Sequence, residues 1–290
     1  MDLRIAHVSD LHLDESRDKS VLEAAIERVK ELHPDVVVVS GDIVKGWRPR
    51  HYGETERIFR ALDVGKLLAV VPDNHDEMRG GEVVFRKHPY FRRKYREFTV
   101  KSPSFGELLM YPIILEGDGL CVIALDSTEA DRSDGEVGLD QLLRAEELIR
   151  EIEPEFIVLT MHHHVTPFPG LIDVSTVLDA GNLREFCVAN GVDLVLVGHK
   201  HIPRVDYFAS KEGGCAVSHA GTLCPEVARY VPPAFNVVDV ERGEVVVQVL
   251  EYREGEFSEP KLMGRFRIEG EHLRPVELGY DPSKAWMRGY

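Results

Sequence analysis

Leu194-Val195-Leu196-Val197-Gly198-His199-Lys200-His201 decides how the rest of the chain is read. Four consecutive apolar residues form the pattern of a buried strand. Gly198 allows a sharp backbone turn at its end. His199 and His201 then project past the strand tip, which is where open α/β sheets bind ligands. Two imidazoles so close together can serve two neighbouring metal ions, one each. A His-x-His on a loop is commonly just a solvated pair, but four more apolar runs in this chain end in the same kind of residue.

Arg4 to Ser9 leads into Asp10-Leu11-His12, and Val36 to Val39 leads into Ser40-Gly41-Asp42. Leu67 to Val71 leads into Pro72-Asp73-Asn74-His75-Asp76, and Phe156 to Met161 into His162-His163-His164. Seven of the thirteen histidines fall in these five loops, a clustering that core packing does not explain. The donors are nitrogen and oxygen without thiolate, which favours manganese, iron, zinc or cobalt. They are too numerous for one tetrahedral ion. Two ions about 3.5–4 Å apart, sharing a carboxylate, fit better and would clamp a phosphoryl centre.

The segments between these runs complete an alternating pattern. Ser20 to Leu32 reads as a helix with Val21, Ala25, Val29 and Leu32 on its apolar face and a capping box from Ser20 and Glu23. Further helices are expected near Glu54 to Leu62, at Asp140 to Ile152 and at Asn182 to Asn190, with Gly191 as a cap. Glu116-Gly117-Asp118-Gly119 joins Ile113–Leu115 to Leu120–Leu125 as a hairpin. Past His201, four antiparallel strands are expected: Arg204–Phe208, Cys215–His219, Phe235–Val240 and Glu244–Glu251. Residues 1–253 are read as one domain. Residues 254–290 are polar and aperiodic, and are read as an extension carrying a strand at Phe266–Ile268 and a tail.

Two segments have two readings. Arg86 to Phe98 interleaves six cations with Tyr90, Phe91 and Tyr95. It is either an anion-binding patch or an amphipathic helix whose Phe91, Tyr95 and Phe98 face the core. Gly46 to Tyr52, with Trp47, Arg48 and His51, is either a rim loop of the site or an ordinary surface loop.

The net charge of -15 over 290 residues argues against loose, charge-driven binding to nucleic acid or anionic membranes. No apolar run reaches the roughly 20 residues of a membrane span. Met1-Asp2-Leu3-Arg4-Ile5 enters a strand pattern without signal-peptide features. A cytoplasmic protein is expected. Cys121, Cys187, Cys215 and Cys224 include no Cys-x-x-Cys pair, and core packing is expected rather than a disulfide framework.

Asp-x-His, Gly-Asp, Asn-His-Asp, His and Gly-His-x-His, in this order from Arg4 to His201, resemble the calcineurin-like metallophosphoesterases. Asp126-Ser127-Thr128, Gly135 and Gly138-Leu139-Asp140-Gln141-Leu142 are similar to the bacterial branch containing class III cyclic-nucleotide phosphodiesterases. The resemblance implies an α/β/β/α sandwich of two mixed sheets flanked by helices, with a dimetal site at the C-terminal strand ends. It implies Asp10, His12 and His201 as ligands of one ion and Asn74, His162 and His199 as ligands of the other. Asp42 is the implied bridge, and His75 the histidine that assists the leaving group. His163 is the alternative to His162 as ligand, or else faces the phosphate.

The implied reaction is in-line hydrolysis of a small phosphoester, a nucleotide among the candidates, by a hydroxide held between the ions. Diesters rank ahead of monoesters. A nuclease and a non-catalytic scaffold of the same fold are the alternatives, and oligomeric state is left open. The chain departs from the family pattern at His164, where a proline is common, and at Asp73, where the family has glycine. Asp73 either adopts the tight backbone at a cost or brings a new carboxylate beside an anionic substrate.

Overall fold

The computed structural model describes residues 1–73, 81–129, 133–168, 176–211, 213–229, 231–270 and 272–278. Its strands in chain order are β1 (Leu3–Val8), β2 (Val36–Ser40), β3 (Leu67–Val71), β4 (Thr99–Ser102), β5 (Gly106–Leu109), β6 (Ile113–Gly117), β7 (Leu120–Ala124) and β8 (Phe156–Thr160). They continue as β9 (Leu194–Val197), β10 (Arg204–Ala209), β11 (Gly214–His219), β12 (Ala234–Glu241), β13 (Glu244–Arg253), β14 (Glu256–Phe257), β15 (Lys261–Glu269) and β16 (His272–Leu278). The helices are α1 (Ser20–Glu31), α2 (Tyr52–Leu62), α3 (Gly81–Arg86), α4 (Pro89–Lys94), α5 (Leu139–Ile152) and α6 (Ala180–Ala189).

Residue parity along the strands builds the layers, because neighbouring side chains point to opposite faces. Ala6, Val8, Val37 and Val39 pack with Val21, Ala25 and Val29 of α1 and with Ile58 and Phe59 of α2. Cys121, Ile123, Ile157, Leu159, Val195 and Val197 pack with Leu142 and Ala145 of α5 and Leu183 of α6. The alternate residues Ile5, Val36, Val38, Val122, Val158, Leu194 and Leu196 meet in a third cluster between the sheets. Helix, sheet, sheet and helix therefore stack as an α/β/β/α sandwich. Strands buried on both faces are uniformly apolar for the same reason.

One sheet runs β3-β2-β1-β12-β13 and the other β11-β9-β8-β7-β6. β1, β2 and β3 are parallel, as are β7, β8, β9 and β11. The strands of these two groups end at the edge where the site residues lie. The two sheets are also continuous in hydrogen bonding along one side. β15 pairs with β13, β16 with β15, and Leu273 of β16 reaches Gly214 of β11. This hairpin is longer than the strand expected at Phe266–Ile268. Its Met263, Phe266 and Leu273 are buried in the inter-sheet core, which its polar composition obscured.

Several local expectations change in three dimensions. The first turn of α1 is capped from Asp18, whose carboxylate accepts the Ser20 amide at 2.9 Å; the Ser20–Glu23 capping box does not form. Arg86 to Phe98 is broken by Pro89 into the end of α3, α4 and a 3-10 turn. Tyr90, Phe91 and Tyr95 are buried there. Four of its six cations are paired with acids: Arg86 with Asp126 at 2.6 Å, Arg92 with Glu107 at 3.5 Å, Arg93 with Glu56 at 2.7 Å and Lys94 with Asp63 at 2.7 Å. Trp47 is fully buried against Phe85 and His88, while Arg48, Pro49 and Arg50 of that loop are exposed. All four cysteines are buried as free thiols. Among the described residues, no helix is long and apolar enough to cross a membrane.

Asp193, at the start of β9, accepts the Ile157 amide at 2.8 Å and is buried, which raises its pKa to about 7. Its unfolded value is about 3.9. An acid with a raised folded pKa takes up a proton on folding, so its contribution to stability is full below about pH 4 and lost as pH rises through about 7. Asp193→Asn keeps the amide's acceptor and cannot ionise. The difference in Tm, the Asp193→Asn variant minus wild type, should therefore grow between about pH 4 and 7 and level off above. A difference that stays constant across thermal melts in that range would rule out titration of this carboxyl.

Candidate metal centre

The site forms where the C-terminal tips of the two parallel strand groups meet. From β1 come Asp10 and His12, from β2 Asp42 and from β3 Asp73; from β8 come His162 to His164, and from β9 His199 and His201. Backbone hydrogen bonds lace the tips together. Asp10 N donates to Gly41 O at 3.0 Å, and His12 N to Asp42 O at 2.9 Å. His199 N donates to both Asp10 carboxylate oxygens, at 3.2 and 3.1 Å, which ties the second sheet to the first.

Five of the site residues hold left-handed backbone conformations: Asp10, His12, Asp42, His199 and His201, with φ of 54°, 41°, 53°, 76° and 59°. Such a conformation costs about 1–3 kcal/mol for a non-glycine residue and persists where the surroundings enforce it. Two glycines make the close approach possible. A Cβ on Gly198 would lie 2.0 Å from Ser9 Oγ and 2.6 Å from an Asp10 carboxylate oxygen. Close packing against the β1 tip, and not a turn conformation, is thus what Gly198 provides. A Cβ on Gly41 would lie 2.6 Å from His162 Nδ1, and the φ of Gly41 is 89°.

Two donor groups share one residue. Asp10, His12, Asp42 and His201 offer ligand atoms within 4.8 Å of one another, as do Asp42, Asp73 and His162. Asp42 Oδ2 lies 3.2 Å from His12 Nε2, 3.9 Å from His201 Nε2 and 4.0 Å from His162 Nε2. His201 Nε2 is 3.1 Å from Asp10 Oδ1 and 3.2 Å from His12 Nε2. His162 Nε2 is 3.0 Å from His199 Nδ1 and 3.5 Å from Asp73 Oδ2. Two donors about 2.1 Å from one ion, at roughly right angles, stand about 3.0–3.4 Å apart. The spacing of the donors therefore suits shared ions.

The tautomers agree with this. His162 Nδ1 lies 2.8 Å from Ser40 O and His201 Nδ1 3.3 Å from Val227 O. A carbonyl only accepts, so each Nδ1 carries a proton and each Nε2 is the nitrogen turned to the cluster. Outer-shell acceptors commonly orient metal-binding imidazoles in this way. His163 is arranged differently. Ser127 Oγ is 3.0 Å from its Nδ1 and accepts its amide at 3.2 Å. His163 Nε2 is buried without a hydrogen-bond partner among the described residues. His164 is buried too, its ring stacked on His199 at 5.5 Å.

Charge follows position. Burial lowers the His201 pKa, but Asp10 and Asp42 outweigh it and raise it to about 10. Burial and the same kind of competition leave His12 raised, chiefly through Asp42. Burial opposes ionisation of Asp42, yet His12, the Asp73 carboxyl and His201 hold its pKa well below the usual carboxylate range. Burial and the neighbouring histidines keep His163 and His199 neutral, their pKa values pushed well down.

Of the residues expected at the site, Asp10, His12, Asp42, His162, His163, His199 and His201 come together. Asn74 and His75, with Asp76, lie outside the described residues. Asp73 was read only as a departure from a pattern, whereas its fully buried carboxyl belongs to the second donor group. The signal was available, since Asp73 follows β3 as Asp42 follows β2. Ser127 lay within the Asp126-Ser127-Thr128 motif without a role assigned to it, and its hydroxyl and that of Thr222, which donates to Asp10 O at 2.6 Å, support the site from behind.

Comparison with known proteins agrees with the geometry. The family profile described as calcineurin-like phosphoesterase matches residues 3–203. The chain is 26% identical over 239 residues to a cAMP/cGMP dual specificity phosphodiesterase of Mycobacterium tuberculosis, covering 77% of this chain and 68% of that protein. It is 26% identical over 239 residues to a probable cyclic nucleotide phosphodiesterase of Rhodococcus erythropolis, covering 76% and 70%. The fold is similar to that of a dimetal phosphatase from Danio rerio, with a TM-score of 0.60 and 12% identity over 85% of this chain and 95% of that one. Strand-tip donors, layered fold and matched family profile thus converge, and the chain belongs to the calcineurin-like phosphoesterases.

Proposed function

We propose that the protein is a dinuclear metal-dependent phosphodiesterase acting on small nucleotide diesters. The observation that carries this reading is Asp42, whose single oxygen Oδ2 faces His12 and His201 on one side and His162 on the other. In this reading Asp10, His12 and His201 would hold the first ion and Asn74, His162 and His199 the second, with Asp42 serving both. Mixed nitrogen and oxygen donors suit manganese, iron, zinc or cobalt. Bound there, the ions supply Lewis-acid polarisation of the phosphoryl group and acidification of water to a pKa of about 7.

The chain's own groups divide the remaining work. The Ser127 hydroxyl accepts the His163 amide and lies 3.0 Å from His163 Nδ1. With the hydroxyl as donor in that second contact, the proton of His163 would stand on buried Nε2, available to a phosphoryl oxygen. The different groups behind the two rings, a carbonyl at His162 and a hydroxyl at His163, support His162 as the ligand and His163 as the donor. His75 is assigned as the acid that protonates the leaving oxygen. Burial of Asp10, Asp42, His162 and His163 lowers the local dielectric, which strengthens each of these interactions. The cyclic-nucleotide relatives support a small diester as substrate. The pairing of Arg86, Arg93 and Lys94 with carboxylates supports a small molecule over nucleic acid.

Manganese-reconstituted protein should hydrolyse bis-p-nitrophenyl phosphate and a 3′,5′-cyclic nucleotide with higher kcat/KM than p-nitrophenyl phosphate. Preference for single-stranded DNA would make it a nuclease, and two bound ions without hydrolysis of any of these would make it a scaffold. The His75→Ala variant should keep both ions and lose about 10²–10⁴ in kcat on the cyclic nucleotide, the usual worth of a general acid. The loss should shrink for p-nitrophenolate, which needs little protonation; an equal loss on both substrates would remove His75 from the leaving group.

Elemental analysis separates ligands from donors. Asp42→Ala should lower occupancy at both positions, and His162→Ala should cost one ion. His163→Ala should keep two ions while lowering kcat. Loss of an ion in the His163 variant, with none lost in the His162 variant, would reverse the two roles.

A further inference from the structure

We infer that the Asp73 carboxylate is itself a ligand of the second ion, so that this position is held by two carboxylates, Asp42 and Asp73, together with imidazole. This rests on reading the strand-tip cluster as a dinuclear centre.

Asp73 is fully buried at the tip of β3, and its carboxyl oxygen lies within 4.8 Å of donor atoms of both Asp42 and His162. Its Oδ2 is 3.5 Å from His162 Nε2. The other His162 ring nitrogen, Nδ1, is turned to Ser40 O at 2.8 Å, so Nε2 is the nitrogen that faces Asp73. A carboxylate oxygen and an imidazole nitrogen that face each other at this distance in a buried space are placed to share a cation. The separation is close to the about 3.0–3.4 Å expected of two donors on one ion. His199 Nδ1, 3.0 Å from the same His162 nitrogen, stands at the same kind of spacing.

The backbone is arranged to admit the carboxyl. Gly41 leaves room where a Cβ would lie 2.6 Å from His162 Nδ1 and 3.0 Å from Asp73 Cβ. A larger residue at position 41 would push apart the two groups that face each other across the second position. The added carboxylate makes the second position harder and more negative than imidazole and amide alone would, which suits an oxygen-preferring ion such as Mn²⁺.

The test is Mn²⁺ binding to the metal-stripped full chain, by calorimetry and elemental analysis, for wild type, Asp73→Ala and Asp73→Asn. Melting of the metal-free proteins is measured in parallel. Wild type should bind two ions. Both variants should keep the first site within about threefold and weaken the second by more than the about 10–100-fold typical of losing an outer-shell partner. Asp73→Glu should recover part of the loss. If Asp73→Ala does not fold, Asp73→Asn, which is nearly isosteric, decides alone.

Two ions bound by the variants with both affinities unchanged would overturn the ligand assignment and leave the dinuclear reading intact. Wild type that saturates at one ion would overturn both. Equal weakening of the two sites would also overturn the assignment, since it would place Asp73 in the scaffold of the whole centre.

Discussion

One carboxylate oxygen organises this molecule. Asp42 Oδ2 sits among the Nε2 atoms of His12, His201 and His162, which come from strands of two different sheets. Among the described residues, no other side chain belongs to both donor groups. For that oxygen to stand there, the β2 tip must turn left-handed, Gly41 must admit the His162 ring, and Gly198 must let the β9 tip lie against Ser9 and Asp10. Each is unfavourable alone. Together they are held by the hydrogen bonds between tips and by the cores beneath.

Those cores exist because of strand parity. Two sheets of uniformly apolar strands can bury both faces only if helices cover the outer faces and the inner faces meet. The inter-sheet cluster of Ile5, Val38, Val158, Leu196 and their neighbours fixes the separation of the layers. It thereby fixes how far the β8 and β9 tips stand from the β1, β2 and β3 tips. A rigid sandwich with strained loops at one edge places the binding groups accurately, as a site on flexible loops would not. The β15–β16 hairpin closes one side and adds Met263, Phe266 and Leu273 to the same core.

The tautomers show how a chemically uniform set of residues is given different tasks. His162 and His163 are adjacent and equally buried. Ser40 O fixes one with its Nε2 toward the donor cluster, while Ser127 Oγ contacts the other at Nδ1. The distinction lies in the groups behind the rings, contributed by β2 and by the segment after β7. No reading of His-His-His along the chain separates the two.

Much was legible from the sequence alone: the apolar runs, the helices between them, and the strand-tip position of Asp10, His12, Asp42, His162, His199 and His201. Hydrophobic periodicity and turn residues are local properties, and donors placed directly after buried runs are visible by counting. What only the tertiary structure decided depends on partners distant in the chain. Trp47 and the aromatic residues of 86–98 are core because α2, α3 and α4 pack around them, and the cations of that segment meet acids contributed by other elements. The β15–β16 hairpin is polar on its exposed face and is a strand pair because β13 and β11 offer it edges. Asp73 read as an irregularity in a motif, and joined the donor cluster only when β2 and β8 brought Asp42 and His162 to it. Local pattern sets what each segment can form; burial and long-range pairing decide what each side chain faces.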